Sequence, residues 1–117
     1  MFAAGGKTAG GGVWFGVARP DYEFIVGEGI ESTLSEMRLR GAIAGCAALS
    51  EIGIRRLILP KEAHRVRISA DHDLHGQGVA AAREAARRWR AEGREVAASM
   101  APKVGEDAND LWLRRSA

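Results

Sequence analysis

The fold of this chain is indicated by the stretch Ile68-Ser69-Ala70-Asp71-His72-Asp73-Leu74-His75-Gly76. A run of β-branched and apolar residues from Val66 to Ala70 predicts a buried strand, which ends at two aspartates and a glycine turn. Residues i and i+2 of an extended segment point to the same side, about 6.5–7 Å apart along it. The carboxylates of Asp71 and Asp73 are therefore expected to face one spot.

A helical pattern begins directly after this turn. Between Gly78 and Glu92 apolar residues recur at steps of three and four, and Gly93 provides a stop signal. A strand followed at once by a helix favours a parallel sheet, in which the carboxyl ends of the strands border the ligand crevice. Carboxylate oxygens at that place suit Mg²⁺ or Mn²⁺.

The rest of the chain also alternates between predicted strands and helices. This alternation predicts an α/β fold, a three-layer sandwich with a central, mainly parallel sheet of about four strands flanked by helices. Residues 1–12, rich in glycine and alanine, are expected to form a flexible leader to one domain, 13–117. The pattern indicates strands at 13–17, 23–27, 42–45, 55–60, 66–70 and 95–100. It indicates one helix that begins at Ile30 and two more at 47–52 and 78–92. The apolar stripe of the first helix is predicted to consist of Ile30, Leu34 and Met37.

Composition excludes several classes of protein. The chain has 117 residues and a formal net charge of only +2, which gives no general case for binding polyanions. Cys46 is the only cysteine, so an internal disulfide and a multi-cysteine zinc site are excluded, and we expect it to be a small buried apolar residue. No stretch has the pattern of a signal peptide or a membrane span, so we expect a soluble, cytoplasmic protein.

Acidic residues also follow two other predicted elements, and together the three clusters form a recognisable set. The motifs are Gly27-Glu28-Gly29-Ile30-Glu31-Ser32-Thr33, Asp71-His72-Asp73-Leu74-His75-Gly76 and Gly105-Glu106-Asp107-Ala108-Asn109-Asp110. In this order, after successive strands, they resemble the Toprim domain, which primases, topoisomerases and some nucleases share. The resemblance covers 13–112, and the first and last motifs look most like those of phage- and plasmid-type primase-helicases.

The resemblance implies a role for each matching residue. Glu28 matches the glutamate of the family that acts as general acid or base and can join the metal shell. Asp71 and Asp73 match the metal-binding aspartates, with Mg²⁺ or Mn²⁺ as the cofactor. Supporting roles are implied elsewhere: a metal or structural role for Asp107 and Asp110, and backbone support at Gly27, Gly29 and Gly76.

The function implied is that of a metal-dependent nucleotidyl-transfer domain of the primase type. Its partners would be a DNA template, nucleotides and the other domains or subunits of a larger primase or primase-helicase, with no membrane. Two alternatives stay open at this point. The same acids could cleave phosphodiesters, as in Toprim nucleases and topoisomerases, or the domain could bind nucleic acid or protein without catalysis.

Several residues near these motifs have more than one interpretation. The predicted helix at 78–92 carries Arg83, Arg87 and Arg90. These arginines could line a nucleic-acid path, or they could form an ordinary solvated face. Glu31 is interpreted as a first-turn helix residue favoured by the helix dipole. We interpret Trp89 and Trp112 as core residues, and His72 and His75 as exposed loop residues.

Overall fold

The structure, a computed structural model, describes residues 11–70 and 77–100 of the 117. Five strands and three helices lie within these ranges. In chain order they are β1 (Val13–Phe15), β2 (Glu23–Gly27), α1 (Ile30–Arg40), β3 (Ala44–Ala47), α2 (Glu51–Arg56), β4 (Arg65–Ala70), α3 (Gln77–Ala91) and β5 (Glu95–Met100). None of the three helices is both long and apolar enough to cross a membrane.

The strands form one sheet in the order β1-β3-β2-β4-β5. β2 pairs in parallel with both β3 and β4, and β4 pairs in parallel with β5. β1 is antiparallel to β3 and forms an edge, so the sheet has one strand more than the four expected. The prediction of an α/β fold with a mainly parallel sheet is confirmed.

The sheet has helices on both faces, and the alternation of side chains along β2 shows how. Phe24 and Val26 belong to the main core, together with buried residues of α2 and α3. Ile25 lies between them in sequence, is also fully buried and faces the opposite side, where α1 contacts β2 and β3. The layers are therefore α1, the sheet, and α2 with α3.

Helix α3 covers the main-core face through small residues. Its bounds, Gln77–Ala91, are within one residue of those predicted. The buried face carries four alanines and a single large residue, Trp89, which is completely buried as predicted. The small side chains let the helix backbone lie close to the sheet, and Trp89 fills the space near the end of the helix. The four alanines are Ala81, Ala82, Ala85 and Ala86.

The apolar stripe predicted for α1 is found only in part. Ile30 is 40% exposed, and Leu34 and Met37 are only partly buried. Glycines in the sheet below explain the difference, because a Cβ at Gly45 would approach the sulfur of Met37 to 3.0 Å. The helix lies too close to the strands for a row of large side chains, so small polar ones fit there instead. The buried residues of α1 are Ser32, Thr33, Ser35 and Glu36.

The region between β3 and β4 also differs from the prediction. β3 begins two residues later than expected, and the small helix is Glu51–Arg56, capped by Ser50, whose hydroxyl accepts a hydrogen bond from the Gly53 N–H at 2.9 Å. Residues 55–60 do not form a strand, although Leu57 and Leu59 are buried and Ile58 between them is exposed. Buried and exposed residues alternate here as they do in a strand, but none of the five described strands pairs with this segment.

Arginine side chains bind the carbonyls that a neighbouring strand would otherwise bind. Arg88 donates to the carbonyl oxygens of Leu57 at 3.0 Å and Arg55 at 2.6 Å. Arg94 donates to those of Pro60 at 2.9 Å and Ala63 at 2.6 Å. Buried carbonyls need partners, and guanidinium groups, each with five donors, supply them. These two arginines therefore hold the connection between α2 and β4 in place.

Candidate functional site

The carboxyl ends of β2, β3 and β4 meet at one edge of the sheet. The register pairs Gly27 with Ala47 on one side and with Ser69 on the other. Glu28 follows Gly27 directly, and Ala70, the last residue of β4, follows Ser69. Glu28 thus lies next to the end of β4, and Asp71 is the residue that follows β4 in the sequence. The other predicted site residues, Asp71, Asp73, Gly76, Asp107 and Asp110, lie outside the described residues.

The backbone around Glu28 is fixed by hydrogen bonds to the segment after β3. The carbonyl of Gly27 accepts from the N–H of Ala48 at 2.7 Å, and the carbonyl of Glu28 accepts from the N–H of Leu49, also at 2.7 Å. Glu28 itself is half-buried. The pairing of β2 with the β3 segment therefore extends past the ends of the strands and holds the glutamate at the edge.

Glycine at position 27 allows α1 to begin directly beside Glu28. A Cβ at Gly27 would overlap the hydroxyl oxygen of Thr33. That hydroxyl donates to the carbonyl of Gly29 at 2.6 Å, and the Thr33 N–H donates to the same carbonyl at 3.1 Å. Gly29 is the N-cap of α1, with φ −99° and ψ 158°. The lack of a side chain at Gly27 thus permits this close contact between α1 and β2.

Leu49 is a feature of this edge that sequence reasoning missed. Its φ is +74°, and it is the only residue other than glycine with a positive φ in 11–70 and 77–100. L-residues rarely adopt this conformation, in which Cβ crowds the backbone. The side chain is 54% exposed. No sequence signal predicts it, because leucine is not a turn-forming residue.

The predicted metal ligands are of the type that a hard divalent cation prefers. Glu28 and the two aspartates that follow β4 offer only carboxylate oxygens, which favour Mg²⁺ or Mn²⁺ over zinc. Cys46 lies in the core, where burial raises the pKa of its thiol to about 12, so it is not available as a thiolate ligand. Within the described ranges, no three His, Cys, Asp or Glu residues form a metal-binding group. Glu31 lies exposed in the first turn of α1, as predicted.

Three arginines of α3 line a groove beside the edge strand β5. Arg83, Arg87 and Arg90 are exposed, and the groove has a volume of about 440 Å³. Its other lining residues are small and apolar: Val79, Ala82, Ala86 and Ala98. β5 is two strands away from β2, so these two strands lie about 10 Å apart across the sheet, and Glu28 follows the end of β2.

A second concave region lies at the opposite end of the strands, around the amino ends of β4 and β5. It has a volume of about 430 Å³ and contains none of the predicted site residues. Its lining includes cationic Lys61, Arg65 and Arg94, anionic Glu92 and Glu95, and His64. Because the carboxyl ends of the strands point away from it, this region is not part of the acidic site.

Comparison with known proteins assigns a family to most of the chain. A family model described as Toprim domain matches residues 23–117. The matched range includes Glu28 and the two later acidic motifs. No curated protein and no solved structure matches the chain significantly.

The contact between Gly27 and Thr33 generates a stability prediction. Gly27→Ala should lower the free energy of unfolding by about 2–3 kcal/mol, because the new Cβ overlaps the Thr33 hydroxyl. In a Thr33→Ala background that overlap is reduced, so the same substitution should cost at least about 1 kcal/mol less. Urea unfolding of the four proteins of this cycle measures the coupling.

Gly41→Ala is the matched control for this cycle. Gly41 has φ +66° and open space where a methyl group would lie, so its substitution should cost about 1 kcal/mol from the backbone alone. That cost should be the same with threonine or alanine at position 33. Strict additivity between Gly27→Ala and Thr33→Ala would contradict the proposed close contact.

Proposed function

The chain belongs to the Toprim domain family, and on that basis we propose that it is a metal-dependent nucleotidyl-transfer domain of the primase type. The observation that carries the proposal is the placement of Glu28 at the carboxyl end of β2. The neighbouring strand, β4, continues into Asp71 and Asp73. A glutamate at the end of β2, with two aspartates following the neighbouring strand in sequence, would provide both a proton acceptor and metal ligands.

Each acid has a distinct role in this proposal. Glu28 takes the proton from the attacking hydroxyl, and its backbone hydrogen bond to Leu49 keeps it at the edge of the sheet. Asp71 and Asp73 would hold the cation, with Glu28 as a further ligand and Asp107 and Asp110 in support. A bound Mg²⁺ or Mn²⁺ would lower the pKa of the attacking hydroxyl and stabilise charge on the phosphate oxygens.

The choice of nucleotidyl transfer over cleavage is supported by the form of the motifs. Glu28-Gly29-Ile30-Glu31-Ser32 and the final Asp107-Ala108-Asn109-Asp110 are most similar to those of phage- and plasmid-type primase-helicases. The partners proposed are accordingly a DNA template, nucleotides and other replication domains or subunits, in the cytoplasm. The arginine groove beside β5 supports DNA binding, because exposed guanidinium groups bind phosphates.

Removing the aspartates should abolish metal binding. In the Asp71→Asn, Asp73→Asn double variant, we expect Mn²⁺ affinity to fall by at least about 100-fold, because two anionic ligands are replaced by neutral amides. Calorimetric titration measures the affinity, and the rise in Tm with added Mn²⁺ provides a second readout. Glu31→Gln is the matched control, since this exposed first-turn acid is not expected to bind metal. Unchanged Mn²⁺ affinity in the double variant would contradict the assignment of Asp71 and Asp73 as metal ligands.

Removing the proton acceptor should abolish turnover while leaving the fold intact. We expect Glu28→Gln to lower the rate of primer synthesis on single-stranded DNA by about 100-fold or more, the usual contribution of a general base. Glu31→Gln should retain the wild-type rate. Nicking of a supercoiled plasmid, assayed in parallel, distinguishes the reactions. Cleavage without synthesis would favour the nuclease alternative, and metal binding without either would favour a non-catalytic module.

Neutralising the groove should weaken DNA binding in a salt-dependent way. We expect Arg83→Ala with Arg87→Ala to reduce affinity for a single-stranded oligonucleotide several-fold and to lower the slope of log affinity against log salt by about 0.7 per lost contact. Fluorescence anisotropy at several salt concentrations measures both quantities. Arg56→Ala, which removes an exposed arginine of α2, should change neither. If the groove variants behave like this control, the arginines form only a solvated face.

A further inference from the structure

The geometry points to Leu49 as a residue that contacts the substrate: we propose that its side chain packs against the base of the nucleotide on which Glu28 acts. This inference rests on the proposed function and extends it to the nucleoside part of the substrate. Three observations support it, namely the backbone conformation of Leu49, its hydrogen bond to the backbone of Glu28 and the exposed isoleucines at the start of α1 and α2.

The backbone conformation favours a different residue at position 49. With φ at +74°, glycine or asparagine would be accommodated at lower conformational energy than leucine. Residues held in such conformations cluster at functional sites, where the surrounding structure maintains them. Leucine, unlike glycine, presents an exposed apolar side chain at this position, since 54% of the residue is accessible to solvent.

Leu49 is held firmly on both sides. Its N–H donates to the carbonyl of Glu28 at 2.7 Å. The next residue, Ser50, caps α2 by accepting from the N–H of Gly53 at 2.9 Å. The side chain is therefore carried on a fixed backbone that is bonded directly to the proposed general base.

The surroundings match the two halves of a nucleotide. Ile30 and Ile52, which are 40% and 56% exposed, lie within three residues of Glu28 and Leu49, respectively. The exposed aliphatic residues thus stand at the start of α1 and of α2, close in sequence to Glu28 and Leu49. A nucleotide combines a phosphate, which requires charged groups and cations, with a base whose faces are apolar. With the phosphate near Glu28, as proposed, the base is the part of the nucleotide available to Leu49.

The test replaces Leu49 by residues that suit its backbone. Leu49→Asn and Leu49→Gly should leave Tm unchanged or raised and Mn²⁺ affinity unchanged. Affinity for a short oligothymidylate, measured with Mn²⁺ present, should fall by about tenfold, the effect expected for loss of one apolar contact. The wild-type preference for oligothymidylate over an abasic oligomer of equal length should shrink in both variants. Ile58→Asn is the matched control, because Ile58 is similarly exposed, at 56%, but follows α2 on the connection to β4.

The outcomes separate this inference from the proposed function. Wild-type affinity for oligothymidylate in Leu49→Asn, or an unchanged preference over the abasic oligomer, would overturn the contact with the base while leaving the metal site intact. A fall in Tm or in Mn²⁺ affinity in Leu49→Asn would overturn it as well, by giving the side chain a structural role. Absence of Mn²⁺ binding by the wild-type chain would instead contradict the proposed function itself.

Discussion

The parallel pairing of β2 with β3 and β4 is the constraint on which the rest of the structure depends. Parallel neighbours require crossover connections, so the chain leaves all three strands at the same edge of the sheet. Glu28 follows β2, Leu49 comes two residues after β3, and β4 continues into Asp71. Residues far apart in sequence are brought to one edge because the strands run in one direction, without any special loop.

The position of α1 depends on directional contacts more than on apolar area. The helix approaches the sheet over Gly27 and Gly45, and its buried side carries small polar residues. Glu36 is only 1% exposed and pairs with Arg40 at 3.0 Å. The Arg40 side chain is 37% exposed, so the pair is only partly buried, but loss of Arg40 would leave the Glu36 carboxylate buried without this partner. The segment beside Glu28 is therefore positioned by geometry, which suits a site that must hold a proton acceptor in place.

Sequence reasoning succeeded where periodicity or a motif was strong. β2 has the predicted bounds, α3 lies within one residue of them, and Trp89 is buried as expected. It identified the start of α1 but not its buried polar face, because the pattern of apolar residues carries no information about how closely glycines allow a helix to approach. It was wrong for 55–60 because strand-like alternation does not identify the donors that bind the carbonyls. The acidic motifs identified the family, whereas the conformation of Leu49 depends on tertiary hydrogen bonds that no local pattern encodes.

The arginines that bind the connection between α2 and β4 show that the net charge of a chain does not reveal what its charged side chains do in the structure. Arg88 and Arg94 direct their guanidinium groups to backbone carbonyls, so they act as substitutes for a missing strand. Lysine would preserve the isoelectric behaviour of the chain but could not reproduce the fixed fork of donors. Two variants of this chain with the same net charge could therefore differ in whether this connection keeps its conformation. Exchange of arginine for lysine at positions 88 and 94 is accordingly not a neutral substitution.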